Sequence, residues 1–365
     1  MQSLFSGIYK DKTVLVTGHT GFKGSWLCFW LKQMGAKVVG YSLEAPTNPN
    51  HFELLNLDIT SIKGNIKDLE HLNTVFQTYK PDIVFHLAAQ ALVKYSYENP
   101  IETYETNVMG TLKVFEASRI NNVKAIVNIT SDKAYENREW IWGYRENDPM
   151  GGYDPYSSSK GCADILTNSY RNSFFNIKDY KKTHNTLIAT CRAGNVIGGG
   201  DWAKDRLITD IMISVSIGKK VSIRNPKATR PWQHVLEPLS GYLQIGQKLL
   251  EEKVEFAEAW NFGPSDEGSI TVEQVVHNVK KHWDKIDYEI NQDPNQLHEA
   301  NLLKLDCTKA NTILKWNSVW SNSATIEKTV NWYKNFYENG EILTSKDLID
   351  YILDAKEKGV SWTKN

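Results

Sequence analysis

Lys12 to Thr17 reads KTVLVT, a short apolar run rich in β-branched residues, and Ser25 to Met34 (SWLCFWLKQM) carries its apolar residues at helical spacing. Glycines lie between them, so the segment predicts strand, turn and helix. The strand pattern returns at Lys37 to Tyr41, Ile83 to Leu87, Ala125 to Thr130 and Thr186 to Cys191, with helical stretches near Asp68 to Tyr79, Tyr104 to Arg119 and Ser157 to Phe174. Such alternation predicts an α/β protein built on a doubly wound parallel sheet of the Rossmann type. Ligands of these sheets sit beyond the carboxyl ends of the strands, so chemistry is expected in the residues just after each strand. After about Arg192 the alternation fades into loop-rich text (GGGDWAKDRL, RNPKATRPWQH, NFGPSDEG) broken by helical stretches near Arg206 to Ile217, Glu237 to Leu250 and Thr271 to Trp283. Residues 1–192 are therefore expected to form the Rossmann domain. Residues 193–365 are expected to form mainly a smaller, loop-rich α/β substrate lobe, with some segments returning to the first domain. Thr344 to Lys358 predicts an amphipathic closing helix.

Charge and composition narrow the partners. Forty-two Lys and Arg against 43 Asp and Glu leave a formal charge of −1 over 365 residues, which supplies no global field for nucleic acid or an anionic membrane. Cys28, Cys162, Cys191 and Cys307 are far apart with no CxxC, so neither a disulfide framework nor a metal site is expected. A reducing compartment, the cytoplasm, fits this usage. No apolar stretch is long enough to span a membrane, and no basic and apolar leader opens the sequence. The 12 Trp are scattered and are expected to pack or to line a pocket.

Candidate chemistry follows the strands. TGHTGFKG places Gly18, Gly21 and Gly24 directly after the first strand, where small residues let the backbone approach a pyrophosphate at the helix N-terminus. After the second strand comes Tyr41-Ser42-Leu43-Glu44, with no Arg to receive a ribose 2′-phosphate, which favours NAD over NADP. Ala88, Ala89 and Gln90, past the Ile83 to Leu87 strand, suit the wall beside a flat nicotinamide. Tyr156 and Lys160 (YSSSK) share one helix face, the pattern of a phenol base whose phenolate is favoured by a lysine cation. Ser131, Asp132 and Lys133 follow the Ala125 to Thr130 strand without a gap, bringing a hydroxyl, an acid and an amine to the carboxyl edge. Asn107 reads either as a polar turn or as a group that positions the catalytic lysine. Asn195, Arg206, Arg230 and Arg224 lie where an arginine fork would meet a diphosphate, with Trp232 and His234 beside Arg230 either lining the pocket or packing.

Together TGHTGFKG, HLAAQ, TNVMGT, TSDKAY, PYSSSK, RAGNVIGGGDW and ATRPWQHVLEPL resemble the extended short-chain dehydrogenase/reductase superfamily, and within it the CDP-D-glucose 4,6-dehydratases, over about residues 10–340. The Ser-Asp-Lys form at 131–133 points to the cytidine branch, since the dTDP and GDP branches normally carry Glu at the place of Lys133. The resemblance implies a redox-neutral hydro-lyase with tightly bound NAD, held by Gly18, Gly21, Phe22, Gly24, Ser42, Asn65, Ile66, Ala88, Ala89, Gln90, Asn107, Tyr156 and Lys160. Asn65 departs from the Asp common beside the adenine. The implied substrate is CDP-D-glucose, contacted by Asn195, Arg206 and Arg230, and the product is CDP-4-dehydro-6-deoxy-D-glucose. Tyr156 would take the C4 hydroxyl proton, Asp132 would protonate the departing C6 hydroxyl, and Lys133 would act as the C5 base, as a free amine. A homodimer or homotetramer through the helices near Tyr104 to Arg119 and Ser157 to Phe174 is implied, as is a place in deoxysugar biosynthesis such as that of lipopolysaccharide O-antigen. An epimerase or plain dehydrogenase of this fold would need Tyr156 and Lys160 without an acid and base at 132 and 133. A catalytically silent NAD-binding module would show a broken Tyr/Lys pair, and here the pair is intact.

Overall fold

In the computed structural model, which describes residues 1–223, 225–264, 269–291 and 302–364, the apolar runs pair into one seven-stranded sheet. Its strands are β1 (Thr13–Thr17), β2 (Lys37–Ser42), β3 (Thr60–Lys63), β4 (Ile83–His86), β5 (Ala125–Ile129), β6 (Leu187–Ala193) and a last strand, Ala259–Phe262. The spatial order is Ala259–Phe262, β6, β5, β4, β1, β2, β3, and every pairing is parallel. The chain runs outward from β1 to β3, then returns to β4 on the other side of β1, so a crevice opens beyond the carboxyl ends at β1 and β4. This is the doubly wound α/β fold that the alternation predicts. Strands β4, β5 and β6 are buried along their whole length because helices cover both faces.

The helices are α1 (Phe22–Gln33), α2 (His51–Leu55), α3 (Leu69–Tyr79), α4 (Val93–Glu98), α5 (Pro100–Tyr104), α6 (Thr111–Ile120) and α7 (Pro155–Ser173), followed by α8 (Leu207–Ser216), α9 (Leu236–Leu250), α10 (Val272–His282), α11 (Asn322–Asn339) and α12 (Thr344–Glu357). Two departures from the sequence pattern matter for the site. Helix α1 begins at Phe22, three residues before the apolar run, with Gly21 as its cap. The helix expected over Tyr104 to Arg119 is interrupted by a π turn, Glu105–Gly110, which carries Asn107.

The loop-rich second half divides. Ala259–Phe262 pairs with β6, and α9 packs against β5 and β6, so this half supplies both an edge strand and a covering helix to the main sheet. The ribbons Val221–Ile223 with Tyr288–Ile290, and Thr229–Pro231 with Ser269–Thr271, stand apart from that sheet. Trp26, Trp30, Trp260, Trp316, Trp332 and Trp362 are fully buried, so half of the tryptophans are packing residues.

One buried carboxylate ties the C-terminal segments to the sheet-covering helix. Glu237, in the first turn of α9, accepts from the backbone N–H of Val319 (2.9 Å) and Trp320 (2.6 Å) and from the Tyr351 hydroxyl of α12 (2.8 Å). Burial pushes its carboxyl up to about 7 against the pull of these donors. Glu237→Ala leaves two buried N–H groups without an acceptor, while the Tyr351 hydroxyl keeps only its longer bond to Ser240 at 3.2 Å. We expect a loss of about 3 kcal/mol in denaturant unfolding, and a loss under about 1 kcal/mol contradicts this accounting.

Candidate active site

The β1–α1 turn is shaped by what cannot be there. Gly18 has φ +75°, and a Cβ on it would lie 2.7 Å from the Ala88 nitrogen; a Cβ on Gly24 would lie 2.1 Å from the Gly18 carbonyl oxygen. The turn therefore packs directly on the chain leaving β4, and the first N–H groups of α1 face a cavity. At the end of β2 the Ser42 and Thr20 hydroxyls are paired at 2.8 Å. Asn65 spends its side-chain oxygen on the Lys67 N–H (2.9 Å), and Ile66 closes over Gly110. Gly18, Gly21, Phe22, Gly24, Ser42, Asn65, Ile66, Ala88, Ala89 and Gln90 all line this cavity. The glycine cradle, the helix N-terminus and the small residues at 88 and 89 fit a dinucleotide pyrophosphate and a flat ring.

Asn107 stands behind the wall rather than on it. Its side-chain oxygen accepts from the Gln90 N–H (2.8 Å), and its amide donates to the Gln90 carbonyl (2.9 Å) and the Ser159 hydroxyl (2.8 Å). The π turn carries Asn107 to the backbone of the wall and to α7, where its side-chain oxygen and amide find partners.

Helix α7 starts at Pro155 with Asp154 as cap, accepting from the Ser157 N–H at 2.9 Å, which sets Tyr156 and Lys160 at its first turns. Burial pushes the Tyr156 phenol up to about 12, opposed by a hydrogen bond from Ser131 and by the Arg206 cation. Burial, then the neighbouring Lys23 charge, pushes Lys160 down to about 8, with Asp164 opposing. Lys160 Nζ donates to the Ile129 carbonyl at 3.2 Å. Arg206 adds a second cation near the phenol, beside the Lys160 that shares its helix.

Ser131 caps the 3-10 turn Asp132–Ala134, its hydroxyl oxygen accepting from the Lys133 N–H (3.2 Å) while it donates to Asp132 Oδ1 (3.0 Å). Asp132 is buried, and desolvation pushes its carboxyl above the usual range although Lys133 and Ser131 oppose it. That favours the protonated form an acid needs. Lys133 is half-buried, lines the same cavity and, among the described residues, makes no ion pair with Asp132.

Two residues that the motif reading passed over stand in the centre. Lys23 sits in the first turn of α1, where the helix dipole disfavours a cation, with Asp132 and Asp201 as its neighbouring negative groups. Burial and Arg206 push it down to about 8. Asp201, from the GGGDW segment, accepts from Arg206 at 2.6 Å. Asn195 and Arg206 line the cavity, as does Trp232, while His234 packs between Trp26 and Trp320. Arg230 has its backbone in the Thr229–Pro231 strand opposite Ile270, and its side chain lies outside the described residues, as does Arg224. The cavity measures about 1240 Å³, beyond the ~300–1,000 Å³ of a single small-molecule site, so it has room for two ligands end to end.

The sequence model of the family described as GDP-mannose 4,6 dehydratase matches residues 15–329. A curated relative, the CDP-glucose 4,6-dehydratase of Salmonella typhimurium, is 52% identical over 94% of this chain and 97% of its own. The chain belongs to the GDP-mannose 4,6-dehydratase family. The resemblance to the nucleotide-sugar dehydratases drawn from the motifs is borne out. Among solved structures, the UDP-glucose 4-epimerase of Thermotoga maritima matches 89% of this chain and 100% of its own with a TM-score of 0.75 at 23% identity. The dTDP-glucose 4,6-dehydratase of Bacillus anthracis matches 90% and 98% with a TM-score of 0.73 at 22% identity. At these identities the two structures speak for the fold.

In this member of the GDP-mannose 4,6-dehydratase family, the Lys23 charge disfavours protonation of Lys160. A lysine is charged below its pKa, so the charged Lys160 is lost as pH rises through about 8. Lys23→Met removes one of the two cations and should move the alkaline limb of the pH–rate profile to higher pH. An unmoved limb, or one moved to lower pH, contradicts the coupling.

Proposed function

We propose that the protein is an NAD-dependent lyase that removes water from CDP-D-glucose and yields CDP-4-dehydro-6-deoxy-D-glucose. The observation that carries this reading is the meeting, in one cavity at the carboxyl edge of the sheet, of the Tyr156–Lys160 helix with the Ser131–Asp132–Lys133 turn. An epimerase of this fold needs the first group and has no use for the second. The relative that shares 52% of its residues is named for this reaction.

Gly18, Gly21 and Gly24 hold the pyrophosphate against the N-terminus of α1, with Phe22 beside it. Ser42, Asn65 and Ile66 border the adenosine end, and Ala88, Ala89 and Gln90 border the nicotinamide. When bound, NAD supplies the acceptor and later the donor of one hydride, so the overall reaction needs no outside oxidant. Tyr156 Oη takes the proton of the C4 hydroxyl as that carbon is oxidised, and Lys160 holds its charge beneath the site. The 4-keto group acidifies C5–H, whose proton passes to Lys133 Nζ. The C6–O bond then breaks, and the buried Asp132 carboxyl gives the departing hydroxyl its proton, so that water leaves. Lys133 returns a proton to C5 when C6 is reduced, and the proton taken by Tyr156 passes through solvent to Asp132 when the product leaves, which closes the balance. Arg206, Asn195 and Arg230 meet the diphosphate, Arg206 exchanging its Asp201 partner for it.

The same reading makes the protein a cytoplasmic homodimer or homotetramer in deoxysugar biosynthesis, lipopolysaccharide O-antigen included, with neither nucleic acid nor membrane as partner. Exposed Ile101, Met109 and Ile165 on α5, the π turn and α7 support a subunit face there. Among the described residues, no helix is long and apolar enough to cross a membrane.

Tyr156→Phe should leave the fold intact and lower C4 oxidation by about 10²–10⁴-fold in a single turnover, the range for loss of general base catalysis. Lys133→Met should still oxidise C4 yet fail to take up solvent deuterium at C5 or release water. Tyr156→Phe turnover within about twofold of the wild type removes Tyr156 from the reaction. A panel of CDP-, dTDP-, GDP- and UDP-glucose tests the nucleotide, with CDP-glucose expected to turn over fastest.

A further inference from the structure

Beneath the candidate site lies an ion pair that none of the steps above uses. The Asp164 carboxylate, one turn beyond Lys160 on α7, and the Arg192 guanidinium of β6 meet at 2.8 Å, and their side chains are only 3% and 5% exposed. A second contact from Arg192 Nε at 3.1 Å makes the pair a fork. Replacing such a pair by apolar groups is often neutral or stabilising, so stability alone is a weak reason for it. Geometry supplies another.

The pair holds both ends of one short loop. Thr130, the residue before Ser131, donates its hydroxyl to Asp164 Oδ2 at 2.7 Å. Tyr135, the residue after the Asp132–Ala134 turn, accepts from Arg192 at 2.6 Å, and the guanidinium lies 4.9 Å from its ring centroid. The Tyr135 hydroxyl then donates to Asn261 Oδ1 at 2.8 Å. Asn261 lies opposite Arg192 in the adjoining strand, and its amide donates to the Tyr144 carbonyl at 2.9 Å. The middle of the loop is pressed against the same helix, for a Cβ on Gly161 of α7 would lie 3.1 Å from the Ala134 carbonyl oxygen. One more bond crosses at this level, from Lys160 Nζ to the Ile129 carbonyl. The helix that carries Tyr156 and the turn that carries Asp132 and Lys133 are thus indexed to each other by the buried fork at both ends of the loop, with the Gly161 and Lys160 contacts between.

We propose that the Asp164–Arg192 pair, acting through Thr130 and Tyr135, is a positioning device that sets the Asp132–Lys133 turn against the Tyr156–Lys160 helix for the elimination step. This rests on the dehydratase reading above. Arg192 does not line the cavity, and Tyr135, which borders it, has its hydroxyl engaged by Arg192 and Asn261; both act through the turn. The hydroxyl of Tyr135 is the sharpest handle, because its removal keeps the ion pair, the ring over Arg192 and the ring's stacking on Tyr144.

The test separates the two half-reactions in Tyr135→Phe. With CDP-glucose in a single turnover, reduced-cofactor absorbance follows C4 oxidation, and solvent deuterium at C5 with water release follows elimination. We expect elimination to fall by at least tenfold while C4 oxidation and KM stay within threefold of the wild type, with a melting temperature close to it. Combined with Lys133→Met, the Tyr135→Phe change should add no further loss, since both act on one step. Arg192→Lys keeps the charge but loses the fork and should reproduce the split; if it does not fold, Tyr135→Phe still decides. Equal losses in both half-reactions, tracking the melting temperature, mean a purely structural brace and overturn the proposal. So does a variant with both rates unchanged. If the wild type itself releases no water from CDP-glucose, the functional reading fails, and the proposal falls with it.

Discussion

Desolvation at the carboxyl edge of a parallel sheet is the constraint on which the rest of this molecule depends. The sheet delivers six strand ends to one place, and helices seal it, so that Lys23, Lys160, Asp132 and Tyr156 are all taken largely out of water. For every one of them burial is the leading cause of the shift, and in each case it disfavours the charged form. The result is a site where lysines sit near 8 and a carboxyl is pushed toward its protonated state. Lysines shifted in this way give up their protons closer to neutral pH than free lysine does. Charges that must remain charged are forked or bridged instead, as in Arg192 with Asp164 and Arg206 with Asp201.

The glycine turn and the buried fork solve the same problem at two places. A sheet with helices on both faces fixes strand ends to within a residue, but the groups that follow the strands are loops, and loops drift. At β1 the drift is removed by close approach, since Gly18 and Gly24 leave no room for a Cβ. At β5 it is removed by the bond from Thr130 to Asp164, the bond from Arg192 to Tyr135 and the bond from Lys160 to the Ile129 carbonyl. Asn107 does the same for the wall at Gln90, and only because the π turn rotates it inward.

What the sequence made legible follows from where burial leaves a pattern. Strands β1, β2, β4, β5 and β6 are apolar because both faces are covered, and they stand out as short β-branched runs. Strand β3 (TSIK) is a largely exposed edge strand with one inward apolar residue, so no run announces it. Ala259–Phe262 is only four residues long in loop-rich text, and its membership of the main sheet is a long-range fact. Phe22 starts α1 three residues early because glycines that shape the turn also obscure the helical period. The glycines, the Tyr156–Lys160 pair and the Ser131–Lys133 run were readable as spacing. Lys23 was hidden inside the glycine motif, and the partners of the Arg192 guanidinium, Tyr135, Glu146 and Asp164, lie far from it in the chain, where no local pattern can join them.

The central claim is that one bound cofactor oxidises and then reduces the same sugar while the protein moves the protons. It is tested most directly by following a deuterium placed at C4 of CDP-glucose. The account predicts a product lighter by one water that carries the deuterium at C6, with hydrogen from solvent at C5 and the enzyme's NAD back in its oxidised form. Deuterium retained at C4 of an epimerised sugar, or lost to solvent, contradicts it.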